Sequence, residues 1–296
     1  MIIAKPHILS IHPTMQCDYH CVGCYLKRDE HSGGVEMPPS FFVELVKVAK
    51  SIGIKEIAIP ANFKKVKNNP LKPADYELDK NIFYYTLLKN AAKEHGLEFT
   101  CTANYDFITN YIETIHGLLD DVSLMSISIN DFSTGASNKK QEALNILSKI
   151  KSKVPIVNCN IMISPNMVQL LKNGLMKEIL ERVDTVYLLI QKPMVVSMDT
   201  VKEWLSGLEE FFEMLDGRII LDSCLKSAFG LTDGVCSRHQ LIYVNPYGEI
   251  KNCSYDGNSL FALKQPQDLI ELYGNHYPQR QLFNCRLLNY ENGVKQ

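Results

Sequence analysis

The residues best suited to chemistry in this sequence are three cysteines near its amino terminus. Cys17, Cys21 and Cys24 form a C-x3-C-x2-C pattern. Because they are closely spaced, a single loop can place their three thiolates around one metal centre. Three ligands for a four-iron cluster leave one iron open, and an open coordination position is typical of a catalytic site rather than a structural one.

Three other interpretations of these cysteines stay open. They are four and then three residues apart, so they could form the buried face of a helix, although the residues between them favour a helix poorly. A ferredoxin-type cluster used only for electron transfer is the second interpretation. A zinc site is the third, and its fourth ligand would be a nearby histidine. The candidate histidines are His12, His20 and His31.

The other six cysteines divide into two groups. Cys101 and Cys159 lie inside predicted strands among apolar neighbours, where a free cysteine behaves as a small hydrophobic residue. The other four fall in residues 222–296. This segment has little apolar periodicity, so its fold would need stabilisation beyond a hydrophobic core, for example by a bound metal. The total of nine is odd, so complete pairing in disulfides is excluded. The four cysteines of the second group are Cys224, Cys236, Cys253 and Cys285.

The composition is that of a soluble globular protein. Of 296 residues, 46% are hydrophobic and 22% are charged, and the net charge is −2. This charge gives no reason to expect nucleic acid or an anionic membrane as a partner. The sequence contains no run of 18 apolar residues and therefore predicts no membrane span. Its first residues lack the basic and then apolar pattern of a signal peptide, so we expect a cytoplasmic protein.

Strand and helix patterns alternate along most of the chain. The strand candidates are His7–Ile11, Ile54–Ile59, Leu97–Thr102, Val122–Ile129, Val154–Ile163, Thr185–Ile190 and Arg218–Leu221. The first helix candidate follows Pro38-Pro39-Ser40 and has an apolar stripe formed by Phe41, Leu45, Val48 and Ile52. The other helix candidates are Asp79–His95, Asp106–Leu119, Ser137–Lys151, Met167–Arg182 and Asp199–Leu215, and Thr200-Val-Lys-Glu203 predicts a capping box in the last of them.

Six strand–helix units followed by one more strand predict a parallel sheet, because each helix supplies a crossover connection. Six is fewer than the eight units of a closed barrel, so we expect a partial (β/α)6 TIM-like barrel of the α/β class. Chemistry in such folds collects at the carboxyl ends of the strands. Cys17 comes soon after the first strand and therefore lies at this end.

The alternation stops near residue 221, which divides the chain into a barrel of residues 1–221 and a small cysteine-rich extension of residues 222–296. In the extension we expect only short strands and loops. Leu241–Val244 and Glu249–Asn252 flank Asn245-Pro-Tyr-Gly248, in which Asn, Pro and Gly suit a type I turn. This pattern predicts a β-hairpin.

The three-cysteine motif after the first strand of a partial barrel resembles that of the radical S-adenosylmethionine (radical SAM) superfamily. The resemblance implies that Cys17, Cys21 and Cys24 hold a 4Fe–4S cluster whose fourth iron is chelated by S-adenosylmethionine (SAM). Reduction of the cluster would then cleave SAM to methionine and a 5′-deoxyadenosyl radical that abstracts hydrogen from the substrate. In such systems the cofactor carries the chemistry, and the protein positions it and excludes water.

The resemblance also implies which residues contact SAM. Family members usually have an aromatic residue just before the third cysteine, whereas this chain has Gly23 there and Tyr25 after it. Members usually carry Gly-Gly-Glu after the second strand, whereas this chain has Ile59-Pro-Ala-Asn62. Asn62 or the backbone beside it would therefore meet the SAM amino group. The implied SAM-binding residues are Tyr25, Asn62, Ser128, Asn130, Asn160 and Gln191.

The segment Cys236-x11-Gly248-x4-Cys253 resembles the opening of the SPASM and twitch extensions that many radical SAM enzymes carry. Four cysteines fit the shorter, twitch-like type. The resemblance implies a second, auxiliary 4Fe–4S cluster, with the ligands Cys224, Cys236, Cys253 and Cys285.

The sequence thus predicts a radical SAM oxidoreductase that oxidises or cross-links a small-molecule or peptide substrate. A reductant such as flavodoxin or ferredoxin is implied as a partner. The alternative is a non-catalytic iron–sulfur electron carrier or a zinc-stabilised binding module.

Overall fold

A computed structural model describes residues 6–14, 36–61, 80–104, 118–129, 137–190, 196–208, 217–228, 241–251 and 259–275. The chain forms two compact units. Unit 1 comprises Met1–Ala103, Asp121–Ser123 and Arg238–Pro278, and unit 2 comprises Asn104–Asp120, Leu124–Ser237 and Gln279–Gln296.

Ten strands and eight α-helices occur in the part of the chain that the structure describes, and they are numbered here in chain order. The strands are β1 Ile8–Ile11, β2 Glu56–Ala61, β3 Glu98–Asn104, β4 Leu124–Ile129, β5 Ile156–Met162, β6 Thr185–Leu189, β7 Ile219–Leu221, β8 Leu241–Val244, β9 Glu249–Lys251 and β10 Phe261–Ala262. The helices are α1 Pro39–Ser51, α2 Lys80–Glu94, α3 Ser137–Lys151, α4 Pro165–Leu170, α5 Met176–Leu180, α6 Met198–Leu205, α7 Ser223–Ala228 and α8 Asp268–Asn275. All seven strand predictions are confirmed, and each observed end lies within two residues of the expected one.

The strands of unit 1 are ordered β10-β9-β8-β1-β2-β3. β1 is parallel to both β2 and β8, and β2 is parallel to β3. β8 and β9 form the predicted antiparallel hairpin. The strand β8, which the sequence assigned to the extension, thus pairs with the first strand of the chain, with Ile8 opposite Leu241 and Ile11 opposite Val244.

The strands of unit 2 are ordered β4-β5-β6-β7, and every pair is parallel. Parallel neighbours need a crossover connection, and helices supply it here. α3 connects β4 to β5, and the segment from α4 to α5 connects β5 to β6. These connections produce the alternation of strand and helix patterns in the sequence.

The first predicted helix is confirmed as α1, and its start follows from local chemistry. Proline occupies its first turn, where the missing N–H is not needed for a helical hydrogen bond. Phe42, Leu45 and Ala49 are completely buried. The helix ends before Gly53, whose φ of +90° is a conformation that favours glycine.

The helix predicted over Met167–Arg182 is interrupted, which corrects the expectation of one continuous helix. α4 and α5 are separated by a wide π-type turn at Leu171–Leu175. Gly174 has a φ of +100° and Asn173 is also non-helical. Asn-Gly is a turn-forming pair, so the break has a local cause that the apolar periodicity conceals.

The predicted capping box at Thr200–Glu203 is wrong. The helix α6 begins earlier, with Ser197 as its cap. The Ser197 hydroxyl oxygen accepts a hydrogen bond from the backbone N–H of Thr200 at 3.2 Å. Thr200 is therefore already inside the helix, and the capping serine lies three residues before it.

The expectation that residues 222–296 contain only strands and loops is also wrong, since α7 and α8 lie there. Both helices have eight residues or fewer. Helices of this length show too few apolar repeats to be recognised from periodicity. The division of the chain after residue 221 stays a prediction.

Two further expectations concern helices. The helix predicted over Asp106–Leu119 lies outside the described residues except for its last two positions. Among the helices that the structure describes, none combines the length and the apolar character needed to cross a membrane.

Candidate functional site

The central strands of unit 2 have two chemically different faces. Side chains alternate across a strand, so every second residue lies on the same face. One face, called here the apolar face, is buried and consists of Met125, Ile127, Ile129, Val157, Cys159, Ile161, Val186 and Leu188. The other, called here the polar face, carries Ser126, Ser128, Asn158, Asn160, Thr185 and Tyr187.

The strand register places the polar side chains of this face in two rows, with Leu124 and Ile156 on one side of them and Met162 and Leu189 on the other. In the upper row, Ser128 pairs with Asn160, and Asn160 pairs with Tyr187. This row lies in the carboxyl-terminal halves of the strands. Neighbouring strands are about 4.8 Å apart, so side chains of one row can contact the same ligand. The structure thus brings together Ser128 and Asn160, which the sequence predicted as SAM contacts from two separate segments.

The lower row lies two residues nearer the strands' amino ends, about 6.6 Å from the upper row. In it, Asn158 pairs with Ser126 on one side and with Thr185 on the other. Asn158 is 5% exposed, whereas Ser126 and Thr185 are half-buried. The Asn158 Oδ1 atom is buried and has no hydrogen-bond partner among the residues that the structure describes. Such an atom is uncommon, because a buried polar group without a partner is destabilising.

Sequence reasoning missed this lower row. Asn158 and Thr185 were not among the predicted site residues, although the alternation of β5 places Asn158 on the same face as the predicted Asn160. The signal was the spacing of two residues between the asparagines. Asn158 is buried, whereas Asn160 is half-buried. This difference depends on the packing of neighbouring side chains, and the sequence pattern does not show it.

The segment that holds the three-cysteine motif is fixed at both ends in unit 1. At one end, the backbone N–H of His12 donates to the carbonyl of Val244 at 2.8 Å. At the other end, the N–H of Met37 donates to the carbonyl of Pro246 at 2.7 Å. The hydroxyl of Thr14 and a carboxylate oxygen of Glu36 are 3.4 Å apart. Both ends of the segment are thus bonded to β8 or to the turn that follows it.

That turn is stabilised by Asn245, which is completely buried. Its Oδ1 accepts hydrogen bonds from the backbone N–H groups of Tyr247 and Glu249, at 3.0 and 2.9 Å. Its Nδ2 donates to the Glu249 carboxylate at 2.7 Å. A side chain that bonds the backbone two residues ahead is the usual reason for asparagine in a turn. The predicted hairpin therefore has the predicted turn residue at its start.

Gly248 ends the turn and lies against the residue that follows the cysteine segment. Its φ is +75°. A Cβ atom at this position would lie 2.7 Å from Met37 Cε and 3.1 Å from the Leu263 carbonyl oxygen. Met37 Cε is the end of a flexible side chain and can move, so glycine is favoured here by its backbone conformation and by the nearby Leu263 carbonyl.

His12 is buried beside this hairpin and is kept neutral. Burial and the positive charge of Lys251 lower the pKa of His12 to about 3. Its ring packs against that of Tyr243, with centroids 4.8 Å apart. A neutral histidine in an apolar environment is consistent with a packing role, and the structure gives no ligand set around it among the described residues.

Cys101 and Cys159 are confirmed as buried free thiols. Burial raises the pKa of Cys101 to about 12, although a hydrogen bond from Tyr85 and the charge of Lys89 act in the opposite direction. Burial alone raises the pKa of Cys159. Thiols with raised pKa values and no exposure are poor metal ligands and nucleophiles.

Cys224 is the one predicted auxiliary-cluster ligand within the described part of the chain. It is buried, in the first turn of α7. Asp222 precedes the helix, and its Oδ1 accepts hydrogen bonds from the N–H groups of Cys224 and Leu225 at 2.6 and 2.9 Å. The cap fixes the backbone at Cys224.

The other predicted site residues lie outside the described residues. They are Cys17, Cys21, Cys24, Tyr25, Asn62, Asn130, Gln191, Cys236, Cys253 and Cys285.

Comparison with known proteins gives no match in sequence and clear matches in structure. No protein-family model matches this chain. No curated protein sequence matches it either. Solved structures do match it at 12–14% identity, which shows the fold alone.

Two of these matches are to a protein from Streptococcus suis. SuiB bound to the precursor peptide SuiA has a TM-score of 0.59 at 12% identity, over 98% of this chain and 67% of that one. SuiB bound to S-adenosylmethionine has a TM-score of 0.55 at 14% identity, over 96% of this chain. This chain spans 63% of the length of that SuiB chain.

A third match is to anSMEcpe with bound AdoMet and the Cp18Cys peptide. Its TM-score is 0.57 at 13% identity, over 96% of this chain and 82% of that one. Together with the parallel strands and helical crossovers, these matches confirm the predicted fold class, an α/β partial (β/α)6 barrel.

Proposed function

We propose that this protein is a radical SAM enzyme that reductively cleaves SAM and uses the resulting 5′-deoxyadenosyl radical to abstract hydrogen from a substrate. The observation that carries the proposal is the pairing of Ser128 with Asn160 at the carboxyl halves of adjacent parallel strands. The sequence resemblance independently predicts both residues as SAM contacts. The fold that holds them resembles that of proteins solved with SAM bound.

The donor chemistry of the upper row fits SAM. Ser128 supplies a hydroxyl, and Asn160 supplies both an amide donor and a carbonyl acceptor. Such neutral groups suit the ribose hydroxyls and the adenine edge, which are neutral as well. Because the apolar face behind the strands is buried, the backbone that carries these two side chains is held in place before SAM binds.

The cysteine motif supplies the second part of the proposed site. Cys17, Cys21 and Cys24 would hold the 4Fe–4S cluster, which when bound supplies the electron for SAM cleavage and an open iron for SAM. The protein's own contribution is to hold the ends of this segment. The bonds from His12 and Met37 to the β8 segment serve that purpose.

The four cysteines of the extension are proposed to hold an auxiliary 4Fe–4S cluster. Its ligands would be Cys224, Cys236, Cys253 and Cys285. The hairpin of β8 and β9 supports this because it lies between Cys236 and Cys253 in the sequence. The capped backbone at Cys224 supports it as well. The test is iron content. The protein should hold about eight irons, and the variant with Cys17, Cys21 and Cys24 all changed to Ala should keep about four.

Substrate and partner are proposed at the level of class. A peptide substrate is supported by the peptides bound in the SuiB and anSMEcpe structures. A small molecule is proposed beside it from the sequence resemblance. An oxidation or a cross-link of that substrate would make the protein an oxidoreductase. It would act in the cytoplasm with flavodoxin or ferredoxin as its reductant.

The decisive experiment is a SAM-cleavage assay on anaerobically reconstituted protein. We expect the reduced wild-type protein to form 5′-deoxyadenosine and the Cys21→Ala variant to form none. Cys101→Ala is the matched control, since it also removes a cysteine but one on a buried strand face, and it should retain cleavage. Full cleavage by Cys21→Ala would overturn the proposal.

SAM binding tests the upper row separately. Ser128→Ala and Asn160→Ala should each weaken SAM binding by about threefold to tenfold, as expected for one lost hydrogen bond. Asn145→Ala is the control, because Asn145 is exposed on α3. Asn62→Ala tests whether that side chain or its backbone meets the SAM amino group. The colourless, zinc-only protein of the alternative hypothesis would be recognised by metal analysis before any of these assays.

A further inference from the structure

The lower row of the polar face contains an unused hydrogen-bond acceptor. Asn158 is 5% exposed, and its Oδ1 has no hydrogen-bond partner in the described part of the chain. Its neighbours in the row, Ser126 and Thr185, are half-buried. The two neighbours are therefore partly accessible, while the acceptor itself is largely removed from water.

This arrangement is unfavourable for the protein alone. An acceptor that loses its hydrogen bonds to water on folding, and gains none from the protein, opposes folding. Asn158 has apolar neighbours in the chain, Val157 and Cys159, which point to the opposite face and are fully buried. An apolar residue at position 158 would thus avoid the penalty without disturbing the other face.

Unsatisfied polar groups of this kind are often found at functional sites, where a ligand completes the hydrogen bonding. We propose that the Asn158 Oδ1 accepts a hydrogen bond from the substrate, and that Ser126, Asn158 and Thr185 form a substrate subsite below the SAM-binding row. This inference rests on the proposed function, because that function supplies the neighbouring SAM site.

The row also selects a chemical class of substrate group. All three side chains are neutral, so the row has no counter-ion for a carboxylate or an ammonium group. An ionised group bonded to the buried Asn158 Oδ1 would lose hydration without gaining a charged partner from this row, which is unfavourable. The partner of Oδ1 must instead donate, so it is a neutral N–H or O–H group. A peptide amide and an alcohol are the two sources of such a donor.

The experiment uses pairs of small probes in which methylation removes the donor hydrogen. N-methylacetamide has an amide N–H, and N,N-dimethylacetamide has none. Ethylene glycol has hydroxyl groups, and its dimethyl ether has none. Saturation-transfer NMR on the reconstituted protein, with and without SAM, measures the binding of each probe.

We expect the wild-type protein to bind the donor probe of at least one pair about threefold to tenfold better than its blocked partner, which corresponds to one hydrogen bond. The preference should disappear in Asn158→Leu. Asn158→Ala, which leaves more room and does not risk overpacking, should lose it as well. Asn145→Leu is the control on an exposed helix surface and should keep the wild-type preference. A preference in the amide pair indicates a peptide-like substrate, and one in the glycol pair indicates an alcohol.

The same preference in the wild-type protein and in both Asn158 variants would overturn the inference. So would the absence of any preference in the wild-type protein. Because the probes need no SAM cleavage, this result is distinguishable from failure of the proposed function. Protein that forms 5′-deoxyadenosine but shows no preference dependent on Asn158 would remove the subsite and leave the radical SAM proposal standing.

Discussion

Two buried asparagines, one in each unit, differ in how they are satisfied. Asn245 in unit 1 is completely buried, and its amide makes three hydrogen bonds within the turn after β8. Asn158 in unit 2 is almost as deeply buried, but its Oδ1 makes no hydrogen bond to any described residue. Two residues of the same type and similar burial therefore have different roles. Asn245 stabilises the fold, whereas Asn158 is held ready for another molecule.

The largest expected effect is on the satisfied asparagine. Asn245→Ala removes three hydrogen bonds and leaves the Tyr247 and Glu249 N–H groups without their acceptor. We expect a loss of about 2–4 kcal/mol in the free energy of unfolding. Urea unfolding followed by circular dichroism measures it. Asn145→Ala, on the exposed surface of α3, is the control and should change stability by less than about 0.5 kcal/mol.

If Asn245→Ala changes stability no more than Asn145→Ala does, the hydrogen bonds of Asn245 are not structural. Asn245 and Asn158 would then not differ in their contribution to stability as proposed.

The second prediction concerns Gly248, which lets the Asn245 turn approach Met37. Gly248→Ala should lower the free energy of unfolding by about 2–3 kcal/mol, since it adds a steric contact to an unfavourable φ. Gly53→Ala is a matched control, because Gly53 has a φ of +90° but no atom within 4 Å of its would-be Cβ. It should lose only about 1 kcal/mol.

The difference between the two glycine variants isolates the contact with Met37 and Leu263. Adding Met37→Ala to Gly248→Ala should recover part of that difference, because the side-chain contact is removed while the backbone contact stays. No recovery in the double variant would assign the effect to the Leu263 carbonyl alone.

The third prediction concerns His12, a buried polar residue whose neutral form is favoured by the fold. Its folded pKa of about 3 is below its unfolded value of 6.5, so the neutral form stabilises the protein above pH 6.5. That stability is lost as the pH falls from 6.5 towards 3. Between pH 7 and pH 5 the loss should reach about 2 kcal/mol. Urea unfolding at both pH values measures it.

His12→Phe provides the comparison for this pH effect, because phenylalanine does not titrate and can still pack on Tyr243. The variant should lose less stability than the wild-type protein over the same pH interval. Equal losses in the two proteins would mean that His12 does not remain neutral when it is folded.

The sequence predicted much of this fold because its information is local. Alternating patterns such as Val122–Ile129 define both the strand and its two faces, and turn residues such as Asn245 define the hairpin. The pairing of β1 with β8 joins residues more than 230 positions apart. No local pattern encodes that pairing. The hydrogen bonds that join the ends of the cysteine segment to the β8 region of the extension could therefore not be predicted.

The candidate site was predicted in part for the same reason. Ser128 and Asn160 were recognised because polar residues at strand ends are a local signal. Their pairing required the register of β4 and β5. Asn158 was not recognised, because what distinguishes it is the absence of a partner, and that depends on side-chain packing around the strand. The helix break at Gly174 and the helix cap at Ser197 are a different case. Both have local sequence signals, but the prediction followed the apolar periodicity of the segments instead.

The smallest expected effect tests the comparison of Asn158 with Asn245 most directly. A substitution of Asn158 should raise the free energy of unfolding, whereas a substitution of Asn245 should lower it. Asn158→Leu removes the unsatisfied acceptor and replaces it with an apolar side chain of similar size. The free energy of unfolding should rise by about 1 kcal/mol, the lower end of the penalty for a buried acceptor without a partner. Asn160→Leu is the matched control, because Asn160 lies on the same face of the same strand but is half-buried. Its stability should change little. Urea unfolding of both variants beside Asn245→Ala gives the result. If Asn158→Leu is destabilised as Asn245→Ala is, Asn158 is a structural residue, and the two asparagines differ in geometry but not in purpose.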